Sequence, residues 1–283
     1  MSSFVRSLCS VALAAALIVA AVAPPARAAA GHARLPRPAH VVVVVEENHT
    51  FAQVITSGEA SFMTGAMRSA ALFTDAHGVT HPSLPNYLAL FSGRTNDNGD
   101  DCPATGISAH APNLGSELLA AHLSFAGYSE SLPSTGSTVC AAGTYARKHA
   151  PWVAFDNIPS SANRPLDALR SYDALPTLAF LVPNVDDDMH DGSVAQGDAW
   201  FKQHLASLLT WANAHDTLVV LTWDEGYDAT NSVPTAFFGP MVKPGRYSER
   251  IDHLSVLRTL EDLYGLPHAG ASGSARAIVD VWR

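Results

Sequence analysis

Charge is scarce in this 283-residue chain. Asp, Glu, Lys and Arg make up 15% of it against 47% hydrophobic residues, which excludes a disordered chain, since disorder needs the opposite balance. Basic residues are the rarer sign, 17 against 26 acidic, giving a net charge of −9. Such a surface lacks the Lys and Arg that neutralise a nucleic-acid backbone, so no nucleic-acid partner is expected. A small anion needs only a local positive site and stays compatible with it. Only three cysteines occur, none in Cys-x-x-Cys spacing, so a thiolate zinc cluster is excluded. The 19 glycines and 18 prolines follow no triplet period, which excludes a collagen-like fibre. The Gly-x-Ser-x-Gly elbow, the Walker loop, Gly-x-Gly-x-x-Gly and His-Glu-x-x-His are all missing, so lipase-type, nucleotide-loop and zincin chemistries lack support.

One apolar run is long, and it lies at the start. Arg6 precedes Leu8–Val22, Pro24-Pro25 breaks the run, and Ala26-Arg27-Ala28 offers small residues at a cleavage site. This pattern predicts a secretory signal peptide over residues 1–28, cleaved near Ala28, with an uncleaved anchor as the alternative. The run is shorter than the ~20 apolar residues of a membrane span. No second one follows, so stable membrane insertion is not expected. The mature chain is then an exported protein, extracellular or periplasmic, with 15 basic against 26 acidic residues. Cys9 leaves with the leader. Cys102 and Cys140 remain as a matched pair in an oxidising compartment, which favours a disulfide over two buried thiols.

Residues 29–39 read as an extended lead-in, and 40–283 as a single domain. Val41–Val45 is a continuous β-branched run, the signature of a strand buried on both faces. Thr177–Val182 and Thr217–Thr222 have the same character; Ser124–Tyr128 and Pro234–Phe238 are shorter candidates. Helical spacing marks Pro85–Ser92, Leu114–Leu123, Val194–Ala214 and Asp252–Tyr264. The alternation predicts an α/β fold with a mostly parallel central sheet flanked by helices on both faces. Residues 129–176 are rich in Ser, Pro and Asn and read as a loop-rich excursion.

Each strong strand runs into acid. The first ends in Glu46-Glu47-Asn48, the second leads to Asn184 and Asp186-Asp187-Asp188-Met189-His190-Asp191, the third ends in Asp224-Glu225. Ligands of an open parallel sheet bind outside the carboxyl ends of its strands, so the three clusters would meet in one crevice. Gathered carboxylates repel one another, and a divalent cation relieves both that repulsion and the cost of burial. Carboxylate, amide and hydroxyl ligands suit Ca, Mg or Mn, with Zn or Fe also possible. Ser83 stands at the amino end of the Pro85–Ser92 helix and reads either as an N-cap or as a metal-activated nucleophile.

Val43–Phe51 (Val-Val-Val-Glu-Glu-Asn-His-Thr-Phe), His81–Tyr87, Asn184–Asp191, Thr222–Glu225 and Asp252–Arg258 together resemble the phosphoesterase family of secreted acid phosphatases and non-specific phospholipases C. The likeness is greatest to the small acid-phosphatase branch of this alkaline-phosphatase-like superfamily. The resemblance implies a large α/β sandwich with Glu47, Asn48, Ser83, Asp224 and Glu225 around one divalent metal ion and Ser83 as the attacking hydroxyl. Two-metal members carry Asp-His where this chain has Asp224-Glu225, which favours a single metal. His190 is then free to contact phosphate or protonate the leaving oxygen. Alternatively, Asp186 and His190 would hold a second metal.

Asp188, Asn86 and His253 are candidate substrate contacts. Asn86 has bracing of its turn as the alternative, and His253 packing at a helix start. His81 reads as structural. Arg147-Lys148-His149 with Trp152 reads as a solvated basic patch that would at most steer anions, and Asn96–Asp101 as an acidic turn without EF-hand spacing. The expected activity is hydrolysis of phosphate monoesters on a small phosphorylated substrate through a phosphoserine. A phospholipase C or phosphodiesterase with the same site, and a non-catalytic metal- or phosphate-binding protein, are the alternatives. The oligomeric state is left open.

Overall fold

The computed structural model describes Met1 and residues 35–283 except 96–98, 101, 105–106 and 109. The expected leader and most of the lead-in lie outside the described residues. Among the described residues, no helix is long and apolar enough to cross a membrane.

The central sheet has eight strands. In chain order they are β1 (His40–Glu46), β2 (Ala71–Phe73), β4 (Phe125–Ser129), β7 (Asn163–Pro165), β8 (Leu178–Val182), β9 (Thr217–Trp223), β10 (Thr235–Phe238) and β11 (Gly245–Tyr247). Short pairs outside it are β3 (Ala76–His77) with β12 (Ile251–Asp252), and β5 (Ala141–Ala142) with β6 (Tyr145–Ala146). The spatial order is β11-β2-β10-β9-β1-β8-β4-β7. Pairing is parallel from β9 through β1, β8 and β4 to β7. Only β10 runs against its neighbours β9 and β2. The sheet is therefore mixed but mostly parallel, and the strand expected at Pro234–Phe238 is its antiparallel member.

Val41 to Val45 are at most 1% exposed, and β8 and β9 are buried at every position, so both faces of the sheet are covered. Each fully buried valine stabilises the fold by ~2 kcal/mol before entropy is counted. The helices are α1 (Phe51–Ile55), α2 (Ser61–Ala66), α3 (Ser83–Ser92), α4 (Leu114–Ala120), α5 (Val194–Ala214) and α6 (His253–Tyr264). The long α5 packs on α2 and β9, while α3 packs on α6 and α4. Caps set the boundaries. Ser193 and Asp252 each form a reciprocal capping box that opens α5 and α6. The helix expected to reach Leu123 stops at Ala120 because His122 turns left-handed, φ 60°, and the Leu123 N–H donates to Leu118 O at 2.9 Å.

The excursion after β4 is not bare loop. It holds β5, β6, β7 and several 3₁₀ turns, and it contributes Trp152, 1% exposed, to the core.

Candidate active site

Parallel pairing sets the carboxyl ends of β1, β8 and β9 side by side: Val44 lies opposite Leu181, and Glu46 opposite Trp223. Backbone bonds then stitch the three strand ends together. The Asp224 N–H donates to Glu46 O at 2.9 Å, and the Glu47 N–H to Asp188 O at 2.8 Å. Asp224 Oδ1 accepts from the N–H of Asn48 at 3.0 Å and of Glu225 at 2.6 Å. Asn48 takes a left-handed φ of 61°, a conformation that Asn tolerates better than most residues.

Ser83 reaches this cluster from the first turn of α3. Its cap is Pro82, with no side-chain cap bond, so the serine is not an N-cap. The hydroxyl donates to Glu47 Oε2 at 2.9 Å, and Glu225 Oε1 lies 3.4 Å from it. Glu225 also pairs with His81 through Oε2. The Leu84 N–H, next along the helix, donates to Asp100 Oδ1 at 3.0 Å.

His149 is the residue that sequence reasoning missed. Read as part of a solvated patch, it is 2% exposed, with Nε2 3.0 Å from Glu47 Oε1 and Nδ1 3.0 Å from Asp188 Oδ2. Its ring stacks on Tyr87 of α3. The one sequence signal was its place between the basic pair and the apolar Ala150-Pro151-Trp152, which favours partial burial. His149, Glu47 and His190 each offer a ligand atom, all within 4.8 Å of one another. Asp186, expected with His190 as an alternative metal site, is exposed, and Asp186, Asp224 and Glu225 all lie outside that grouping.

Three expected substrate contacts are otherwise engaged. Asn86 Oδ1 accepts from the N–H groups of Val79 and Thr80, and its Nδ2 donates to Thr80 O and Pro82 O, so it braces the turn before Ser83. His253, 1% exposed, bonds through Nε2 to Asp224 O at 2.6 Å and holds that strand end in place. Asp188 is fully buried; its Oδ1 accepts from the His190 N–H at 2.8 Å and its Oδ2 faces His149. His190 is engaged as well. Nδ1 lies 2.7 Å from Asp191 Oδ1 and Nε2 3.1 Å from Lys148 Nζ, a donor-only group. His190 is thus held between an acid and an ammonium at the edge of the site.

Burial dominates the electrostatics of these groups. Burial, then neighbouring acids, raises the pKa of Glu47 and Asp224. Burial also raises Glu225, against the pull of His81, and pushes His149 down to about 3, with the Lys148 charge adding to the effect. Glu47 Oε1, both side-chain atoms of Asn48, Asp224 Oδ2, Asp188 Oδ2 and His149 Nε2 lack a directed hydrogen bond although buried. Buried polar atoms are rarely left so. Carboxylate and amide oxygens with no protein donor, converging beside a hydroxyl, fit a hard divalent cation, and the neutral imidazole of His149 admits Zn or Fe.

Comparison with known proteins gives the family and the fold. The profile described as the Phosphoesterase family matches residues 56–267. A protein of Mycobacterium tuberculosis named phosphatidylinositol-3-phosphatase is 46% identical over 95% of this chain and 91% of its own length. An acid phosphatase of Aspergillus fumigatus is 29% identical over 74% of the chain, and a probable acid phosphatase of Kluyveromyces lactis 30% over 74%. The chain spans about half the length of these two fungal relatives, 52% and 54%. Among solved structures, the phosphonate monoester hydrolase of Silicibacter pomeroyi superposes with a TM-score of 0.58 at 13% identity, covering 85% of this chain and 76% of that one. An alkaline-phosphatase-superfamily protein of Vibrio parahaemolyticus gives 0.57 at 11%, covering 83% and 68%. At such identities the likeness is one of fold.

Proposed function

The chain belongs to the phosphoesterase family and is a hydrolase of phosphoric esters with phosphatase activity, and from that premise we propose that it is an exported phosphomonoesterase in which Ser83 attacks phosphorus with a bound divalent cation at its side. The observation that carries this reading is the 2.9 Å bond from the Ser83 hydroxyl to Glu47 Oε2, made within a wall of buried oxygens that have no donor of their own.

The cation would be held by Glu47, Asn48, Asp224 and Glu225. When bound, it lowers the pKa of the neighbouring hydroxyl and polarises a phosphate oxygen. The chain's own residues do the rest. Glu47 Oε2 aims the Ser83 Oγ and accepts its proton as the Oγ–P bond forms and the ester oxygen leaves, protonated by water. A second water then cleaves the phosphoserine, its oxygen going to phosphorus and a proton to Ser83 Oγ, while Glu47 returns the proton it took to the hydroxide left by the first water. Asn86 and His253 hold the serine turn and the Asp224 strand end without touching substrate. Monoester hydrolysis is among the slowest reactions in water, so electrostatic stabilisation on the order of 20 kcal/mol is required.

Export is supported by the leader pattern of the sequence and by the Cys102–Cys140 disulfide, Cα–Cα 5.7 Å. The name of the bacterial relative supports adding a phosphoinositide monoester to the substrate panel. The test is Ser83→Ala assayed on p-nitrophenyl phosphate. The expected loss of kcat is ~10³-fold or more with the thermal midpoint unchanged. Wild-type turnover by the variant would refute the nucleophile.

A further inference from the structure

A closed ring of contacts surrounds the serine. Ser83 Oγ bonds Glu47 Oε2, and Glu47 Oε1 lies 3.0 Å from His149 Nε2. The His149 ring sits 5.6 Å from that of His190, whose Nε2 is 3.1 Å from Lys148 Nζ. Lys148 Nζ donates to Asp100 Oδ2 at 2.8 Å, and Asp100 Oδ1 accepts the Leu84 N–H at 3.0 Å, which returns to the residue beside Ser83. Of the residues in this ring, Lys148 alone carries a permanent positive charge. An ammonium has three N–H donors, and two are spent on Asp100 and His190. Among the described residues the third has no partner, and the side chain is 19% exposed, so it is reachable from solvent.

A phosphate monoester brings two negative charges to a site walled by Glu47, Asp224 and Glu225. Like charges at such range cost several kcal/mol unless a cation faces the ligand. We propose that Lys148 is the phosphate anchor of this site, its third N–H and its charge binding a non-bridging oxygen of the ligand, with Asp100 as the positioning residue that keeps the ammonium over α3. The inference rests on the phosphomonoesterase reading. It assigns to substrate recognition a residue that the sequence placed on a solvated patch.

The test is direct binding of inorganic phosphate to the metal-loaded protein by calorimetry, alongside kcat and KM on p-nitrophenyl phosphate. Lys148→Met should weaken phosphate binding at least tenfold and raise KM more than it lowers kcat. Lys148→Arg, which keeps the charge, should recover most of the affinity, and Asp100→Asn should lose less than Lys148→Met because the ammonium remains. Lys148→Gln serves if the methionine variant does not fold, as judged by its thermal midpoint. Phosphate affinity within twofold of wild type in the Met or Gln variant overturns the proposal. So does a loss in Asp100→Asn equal to that in Lys148→Met without rescue by Arg, because the lysine would then only hold a loop. A wild-type protein that binds phosphate but hydrolyses no monoester refutes the functional reading and leaves the anchor standing.

Discussion

The imidazole of His149 lies flat on the phenol ring of Tyr87, 5.2 Å between centroids and 11° between planes. One ring comes from the irregular excursion and the other from the nucleophile helix, so this stack couples the two halves of the site. Burial keeps the imidazole uncharged, and its Nε2 faces Glu47. Tyr87→Leu should preserve the fold and cut kcat ~10-fold through the loosened imidazole, whereas His149→Ala should cost ~100-fold, the range found when a metal ligand or its support is lost. Steady-state rates on a chromogenic monoester, with thermal midpoints as control, distinguish the two. Equal activity in all three proteins would remove His149 from the site.

Chelation gives the second expectation. Without a cation, the raised carboxylates must be either protonated or mutually repelling, so the stripped protein should be inactive and less stable at neutral pH. Saturating metal at 100 times its dissociation constant adds ~2.7 kcal/mol to stability. Elemental analysis followed by re-addition of Mg, Ca, Mn, Zn or Fe identifies the ion. A stripped protein with full activity and an unchanged melting curve rules out the cage.

A third prediction concerns a buried acid outside the site. Glu117 of α4 is 7% exposed, and neither carboxylate oxygen has a partner. Burial, and secondarily the charge of Glu261, pushes its pKa up to about 8 from 4.5. A raised folded-state pKa gives stability that is complete below pH 4.5 and lost as pH rises to about 8. Glu117→Gln should therefore match wild type at pH 4.5 and exceed it by ~1–3 kcal/mol at pH 8, allowing for residual solvent. Denaturant melts at the two pH values decide it. A gap independent of pH would show that the carboxyl is not buried uncharged.

The disulfide gives a fourth. It spans 38 residues of sequence, and Asp100 and Lys148 flank Cys102 and Cys140 on the outside of that loop. Replacing both cysteines with serine should cost ~4 kcal/mol by the chain-entropy account, or ~8–16 °C in midpoint for a chain of this size. KM should rise with it, since the Asp100–Lys148 pair loses its tether. An unchanged midpoint would show that the bridge constrains nothing in the unfolded chain.

Much of this architecture was legible because the strongest elements state their own limits. Val41–Val45 can only be a doubly buried strand, and Ser193 and Asp252 announce their helices. The carboxylates of Glu47, Asp224 and Glu225 were readable as one cluster because parallel strands align their ends. The short strands β2 and β11 escaped notice, since three residues carry no period. His149 escaped for a different reason. Its burial depends on stacking against Tyr87, sixty-two positions away, and nothing local to Arg147-Lys148-His149 encodes that partner. The side-chain duties of Asn86 and His253 were ambiguous for the same cause, because a polar residue near a site reads alike whether it faces backbone or ligand.

The cage has a stiff floor and a compliant roof. Glu47, Asn48 and Asp224 hang from hydrogen-bonded strands that melt only with the whole slab, while Lys148 and His149 ride on short turns pinned by one stack and one crosslink. Gentle warming should lift the roof first, so turnover should fade while the slab is still intact.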